Sequence, residues 1–300
     1  MTNRIVTVPS LLTMRPAPFN PLTPLLFCMA VSASAAGQVG FDRTESADRL
    51  VTVRVVADAQ PIAPGQTFHL AFIFEIRKHW HIYWINPGAS GAPPSITIAA
   101  PAGYETGPTL FTRPQAIGSW DDDLGVTYGY EDRAVLFVPV TAPKDMTSGE
   151  ATFRADVKFL VCREKCLMGN VTRSITVATT SQTDAATARP DPVIAEAMSQ
   201  LPRPIEDLPG AAVRLSDSTL IITAPAGDAT TATLFPIEMP GVTFGRPRIT
   251  IERGVLTASV DVEVRPQNAR GEPLRIAGVL GLGEKRSDPS FTFELPPPDS

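Results

Sequence analysis

Apolar and polar positions alternate along this chain in short runs that turn residues interrupt. Val51, Val53 and Val55 alternate with Thr52 and Arg54 until Pro61-Ile62-Ala63-Pro64-Gly65 breaks the pattern, which predicts a strand followed by a turn. Thr67 to Ile76 predicts a second, half-buried strand with His69 on its solvent face. Strand-like runs continue at residues 95–99, 133–141, 151–161 and 171–178. Strands roughly every 8 to 15 residues, with no helical period between them, predict an immunoglobulin-like β-sandwich over residues 45–180.

The composition changes beyond it. Residues 180–189 are mostly Ala, Thr, Ser and Gln, the make-up of a linker. Asp191 followed by Pro192 predicts an N-cap and first turn, so a short helix to about Leu201 is expected before Pro202 and Pro204 stop it. Residues 181–206 thus read as a linker with one short helix. Short apolar runs then recur at 219–223, 231–235, 248–252, 256–264, 274–280 and 291–294. The fold class is therefore all-β, an immunoglobulin-like β-sandwich followed by a second, smaller β-rich domain at 207–300. That second domain has no Cys, His or Trp, so packing or partner binding is its expected role.

Thirty prolines and 21 glycines against 14 Phe, 4 Tyr and 3 Trp fit a chain cut into short strands. A net charge of −5 without a run of Lys or Arg excludes nucleic acid as a partner and offers no grip on an anionic membrane. The first 36 residues hold Arg4 and Arg15 but no acid, then an apolar run from Leu22 to Val31 and the small residues Ser32-Ala33-Ser34-Ala35-Ala36. This reads as a secretory signal peptide over 1–36. Cys28 lacks the small residue expected ahead of a lipid-modified cysteine, so no lipoprotein is expected. No later segment is long and apolar enough to span a bilayer, and the mature protein is expected to be soluble, exported and periplasmic, where disulfide chemistry can operate.

The candidate chemistry centres on Cys162-Arg163-Glu164-Lys165-Cys166, at the end of an apolar strand-like run. In an extended strand the two Cα atoms would lie roughly 13 Å apart, too far to bridge, but one tight turn would bring them into range. Closing so small a loop removes only about 2 kcal/mol of unfolded-state entropy, so a structural staple is the weaker reading and redox or metal chemistry the stronger. Arg163 and Lys165 favour a thiolate and Glu164 opposes it.

Two further stretches invite a functional reading. His79-Trp80-His81-Ile82-Tyr83-Trp84 is the most aromatic part of the chain, and a two-residue period would put His79, His81 and Tyr83 on one face. Two polar edge residues explain the histidines; a metal site is the sharper alternative. Asp121-Asp122-Asp123 is read as a solvated turn, because the Gly and distal Glu of a calcium loop are missing.

His79-Trp80-His81-Ile82-Tyr83-Trp84-Ile85-Asn86-Pro87-Gly88-Ala89-Ser90-Gly91, Tyr128-Gly129-Tyr130-Glu131 and the cysteine pair occur in an order that resembles a known family. This is the N-terminal periplasmic domain of the thiol:disulfide interchange protein DsbD, in the branch shared with suppressor-of-copper-sensitivity proteins. The resemblance covers about residues 45–180. It implies an immunoglobulin-like domain whose disulfide, at Cys162 and Cys166, takes electrons from a membrane thiol electron transporter. Periplasmic thioredoxin-like proteins would receive them, and Cys166 would form the mixed disulfide. It also implies a cap loop over the pair, at Asp122, Asp123, Leu124, Gly125, Val126, Thr127 and Tyr128; the family's aromatic tip is replaced here by Leu124 and Val126. The redox-active disulfide would need no other cofactor.

Three readings stay open on the residues themselves. The first is thiol:disulfide exchange. The second is copper binding or copper tolerance, with His79, His81, Cys162, Cys166 and Met168 as soft ligands. The third is a non-catalytic interaction module with a structural disulfide.

Overall fold

The computed structural model describes residues 46–121, 125–183, 191–265 and 275–296. The expected signal peptide lies outside the described residues. After a single helical turn, α1 (Ala47–Leu50), the N-terminal half is built from eleven strands. They are β1 (Val51–Ala57), β2 (Thr67–Ile76), β3 (His81–Gly88), β4 (Ser95–Ala99), β5 (Glu105–Thr106), β6 (Leu110–Phe111), β7 (Gln115–Gly118), β8 (Val126–Glu131), β9 (Arg133–Thr141), β10 (Gly149–Cys162) and β11 (Cys166–Thr179). One sheet runs in the order β1-β2-β9-β5, with β6 also on β9; the other runs β11-β10-β3-β8-β7, with β4 on β10. These two layers are the immunoglobulin-like sandwich that the alternating runs predicted.

The inner faces share one apolar core. Phe68, Phe72 and Phe74 of β2 meet Phe153 and Phe159 of β10, with edge-on ring pairs at 5.9 Å for Phe68–Phe153 and 5.8 Å for Phe74–Phe159. The unbroken apolar run Leu70-Ala71-Phe72-Ile73-Phe74 is buried on both faces. Its outer side, with Val135 and Phe137 of β9, is covered by Ile194 and Ala197 of α2 (Pro192–Ser199). This helix starts as its sequence predicts, with the Asp191 carboxylate accepting from Val193 N at 2.8 Å.

Beyond α2 come β12 (Arg203–Pro204), a short 3₁₀ turn, β13 (Ala212–Ser216), β14 (Thr219–Pro225), β15 (Ala232–Ile237), β16 (Val242–Phe244), β17 (Arg248–Glu252), β18 (Val255–Val264), β19 (Ile276–Leu282) and β20 (Ser290–Leu295). They form one sheet in the order β12-β20-β19-β15 and a second in the order β13-β14-β18-β16, with β17 on β18. Leu220, Ile222, Leu256, Val260, Leu280 and Phe291 fill the space between them. The two halves touch through side chains. Phe235 of β15 belongs to the sandwich core, with its ring edge-on to Trp84 at 6.1 Å and Tyr128 at 5.5 Å.

Three expectations need correction. Val126, Thr127 and Tyr128, read as loop, belong to strand β8 and are buried. Pairing with β3 overrides their turn-rich surroundings, and Gly129 permits it, since a Cβ there would lie 2.2 Å from the Ile82 carbonyl oxygen. His79 is not on a strand; it sits exposed in the turn before β3 at φ 69°, so the two-residue period begins only at His81. His69 is half-buried rather than turned to water, its Nδ1 2.7 Å from Asp58 Oδ2.

Candidate functional site

The cysteines owe their position to the long hairpin of β10 and β11. Ala151, Phe153, Ala155, Val157, Phe159 and Val161 point into the core while Thr152, Arg154, Asp156 and Lys158 point out, so the register cannot slip by one residue without exposing the whole apolar set. Pairing holds from Gly149 opposite Thr179 to Cys162 opposite Cys166, and Arg163-Glu164-Lys165 closes the tip. Gly169 allows the tight packing there: a Cβ would lie 2.2 Å from the Phe159 ring.

Cys162 and Cys166 are joined by a disulfide, with Cα atoms 4.2 Å apart. The two sulfurs differ in access. Cys162 is 2% exposed and lies opposite His81 across the ladder between β10 and β3, whereas Cys166 is exposed. The hydroxyl of Tyr83, on β3, is 3.5 Å from Cys166 Sγ. A disulfide sulfur carries no proton, so Tyr83 is the donor.

Tyr83 is held from two sides. His81 stands edge-on to its ring at 5.2 Å. Gly91, at φ 110°, lies flat against the other part of the ring, where a Cβ would come within 2.3 Å. Burial pushes the Tyr83 hydroxyl above its ordinary pKa, with a hydrogen bond from the Ser90 side chain opposing the shift, so the group stays a proton donor. Burial also lowers the His81 pKa, with Glu131 acting against it. Beside the disulfide, Trp80, Arg163, Glu164 and Lys165 line a small cleft, and the Arg163 guanidinium lies 5.9 Å from the Trp80 ring centre.

Of the expected cap, Asp122, Asp123 and Leu124 lie outside the described residues. Gly125 abuts Ala89, and Ala89 N donates to Val126 O at 3.0 Å. The end of the cap segment thus meets the 88–91 loop, which meets Tyr83, which meets Cys166. Val126, Thr127 and Tyr128 are buried strand residues, and Tyr128 packs on Phe235.

Of the candidate copper ligands, His81 lies opposite Cys162, but the set does not form a metal site. His79 is turned off the strand, Met168 is 78% exposed and both sulfurs are spent in the disulfide. Among the described residues no group of three or more His, Cys, Asp or Glu could hold a metal ion. Tyr83, Ser90 and Gly91 are site residues to which the sequence assigned no role, although all three lie in the 79–91 stretch that carries the family resemblance.

With this geometry in hand, the matches to known proteins fall into place. The family model for the N-terminal part of the thiol:disulfide interchange protein DsbD matches residues 47–178, both cysteines included. Over these residues the chain is similar to the DsbD N-terminal family. The N-terminal periplasmic domain of ScsB from Proteus mirabilis is a structural neighbour at 17% identity and a TM-score of 0.56, over 82% of this chain and 94% of that one. That alignment extends the shared fold into the C-terminal half. The reduced DsbD N-terminal domain of Neisseria meningitidis aligns at 14% identity and a TM-score of 0.29, over 49% of this chain and 96% of that one. No curated protein matches. The chain therefore carries a thiol:disulfide exchange domain of the DsbD N-terminal type, with a bonded cysteine pair at a hairpin tip. Among the described residues no helix is long and apolar enough to cross a membrane.

Proposed function

We propose that this protein is an exported, periplasmic electron carrier. It takes reducing equivalents from a membrane thiol electron transporter and passes them to thioredoxin-like proteins through Cys162 and Cys166. The observation that carries this reading is the unequal access of the two sulfurs, with Cys166 open and Cys162 buried. The match of residues 47–178 to the DsbD N-terminal family supports the class of partners.

Loading begins when a donor thiolate attacks Cys166 Sγ. The bond between Cys162 and Cys166 breaks, Cys162 leaves with the electron pair and takes up a proton, and a mixed disulfide joins Cys166 to the donor. The donor's second thiolate attacks its own sulfur in that bridge and releases Cys166. Two electrons have moved, leaving the donor as a disulfide and this pair as a dithiol. Discharge runs in reverse order: the Cys166 thiolate attacks the acceptor disulfide, and the Cys162 thiolate then attacks Cys166 Sγ to close the ring and free the reduced acceptor. Tyr83 donates a hydrogen bond to Cys166, which favours the thiolate, as do the cations Arg163 and Lys165. The Gly125 to Tyr128 end of the cap segment acts on access through the 88–91 loop.

The test is trapping. A Cys162→Ser variant, mixed with an oxidised exported thioredoxin-like protein, is expected to accumulate a mixed disulfide at Cys166 because no second thiol can release it. The Cys166→Ser variant is expected to react far more slowly, its remaining sulfur being buried. Equal trapping by both variants would refute the assignment of Cys166, and a wild-type disulfide that resists millimolar dithiothreitol in the native state would favour a structural staple.

A further inference from the structure

Asn86 is buried, 4% exposed, in the part of β3 that leads into the 88–91 loop. Its side chain faces two ways. Nδ2 donates to the carbonyl oxygen of Pro236 in β15 at 2.7 Å, and Oδ1 accepts from Gly88 N at 3.1 Å. One amide therefore ties the loop that lies on the Tyr83 ring to a strand of the C-terminal half. Phe235, next to Pro236, packs on Trp84 of β3 and Tyr128 of β8, on either side of the same loop anchorage. An apolar residue could fill the Asn86 space, but only a side chain with both a donor and an acceptor satisfies both backbone groups, which are costly to leave unpaired when buried.

We infer that Asn86 is a positioning residue for Cys166: together with Pro236 and Phe235 of the C-terminal half, it holds the 88–91 loop against Tyr83 and so keeps the Tyr83 hydroxyl on the reacting sulfur. This rests on the exchange reading for its purpose, though not for its test. It gives the second set of sheets, which brings no Cys, His or Trp to the chemistry, a part in tuning it. The titratable and charged groups around the disulfide are Arg163, Glu164 and Lys165 at the hairpin tip, Tyr83 against Cys166, His81 opposite Cys162, and Glu131 of β8 opposite His81. Of these, the inference concerns Tyr83 alone.

The experiment uses the full chain carrying Cys28→Ser and Cys162→Ser, so that Cys166 is the sole thiol of the three cysteines in the sequence. The rate of alkylation by iodoacetamide is followed against pH. Tyr83→Phe removes the hydrogen bond to the thiolate and is expected to raise the midpoint of the profile by about one pH unit. A tenfold smaller thiolate population, offset by the higher nucleophilicity of a more basic thiolate, gives alkylation about threefold slower at pH 7. Asn86→Ala is expected to shift the midpoint in the same direction, and to add nothing further when combined with Tyr83→Phe, because the two act through one contact. A loss of thermal stability with an unchanged pH profile would show a merely structural role and overturn the inference, as would shifts that add in the double variant. Should Asn86→Ala not fold, Phe235→Leu keeps the site apolar while removing the ring contacts to Trp84 and Tyr128, and is read by the same criteria. Alkylation requires no redox partner, so failure of the electron-carrier reading would leave this result standing, and the reverse also holds.

Discussion

Arg113 donates from Nη1 to the carbonyl oxygen of Leu282 at 2.7 Å, across the boundary between the two halves of the molecule. The guanidinium, carried by the segment between β6 and β7, is 1% exposed and also reaches Asp288 O at 3.1 Å and Gly283 O at 2.6 Å. Gly281 makes room for it, since a Cβ there would lie 2.6 Å from its Cζ. Replacing Arg113 with Met keeps much of the apolar stem but leaves these carbonyls without a donor. The expected cost is about 3 kcal/mol or more, read as a lower urea midpoint.

The same contact bears on domain organisation. We propose that 45–180 and 207–300 are separate domains joined by the 181–206 linker, and that protease cuts first within residues 180–189. Because Arg113 and Phe235 each reach into the opposite half, the two fragments are expected to stay together in gel filtration after the cut. A stable fragment beginning inside residues 90–170 would rule out the two-domain organisation.

Gly91→Ala offers a direct probe of the Tyr83 contact. The backbone at φ 110° disfavours an L side chain, and the new methyl would meet the Tyr83 ring. A loss of about 1 to 3 kcal/mol is expected, with Cys166 alkylation altered in the same variant. Unchanged alkylation in a folded Gly91→Ala protein would separate the loop from the sulfur.

His81 predicts a pH dependence. Burial holds its folded pKa below the ordinary 6.5, so between these two values the unfolded chain binds more protons than the native one. Stability is therefore expected to fall as pH drops through 6.5 towards the folded value, and to level off below it. In His81→Gln this component is expected to vanish, so the urea midpoint should vary less between pH 7 and about 5. An unaltered slope would assign the acid sensitivity to other groups.

Much of this protein was legible in local pattern. Alternation outlined β4 and β17 to the residue, and apolar runs bounded by turn residues outlined β2 and β9, because a strand writes the burial of its faces into the chain. Asp191-Pro192 announced α2, since capping depends on immediate neighbours. The three-residue tip at 163–165 made a disulfide plausible before any fold was known. Tertiary structure alone decided the rest. Val126 to Glu131 became a strand because β3 offered an edge to pair with, which no local propensity encodes. Arg113 carries no sequence mark of burial; four carbonyl acceptors from residues 282–289 created its site. The unequal access of the two cysteines was decided in the same way. They are equivalent in composition and nearly so in context, yet one faces His81 inside the sheet while the other meets solvent and Tyr83. Access to a sulfur depends on what the rest of the chain folds over it, and residues 83 and 166 become neighbours only when two strands far apart in sequence join one sheet.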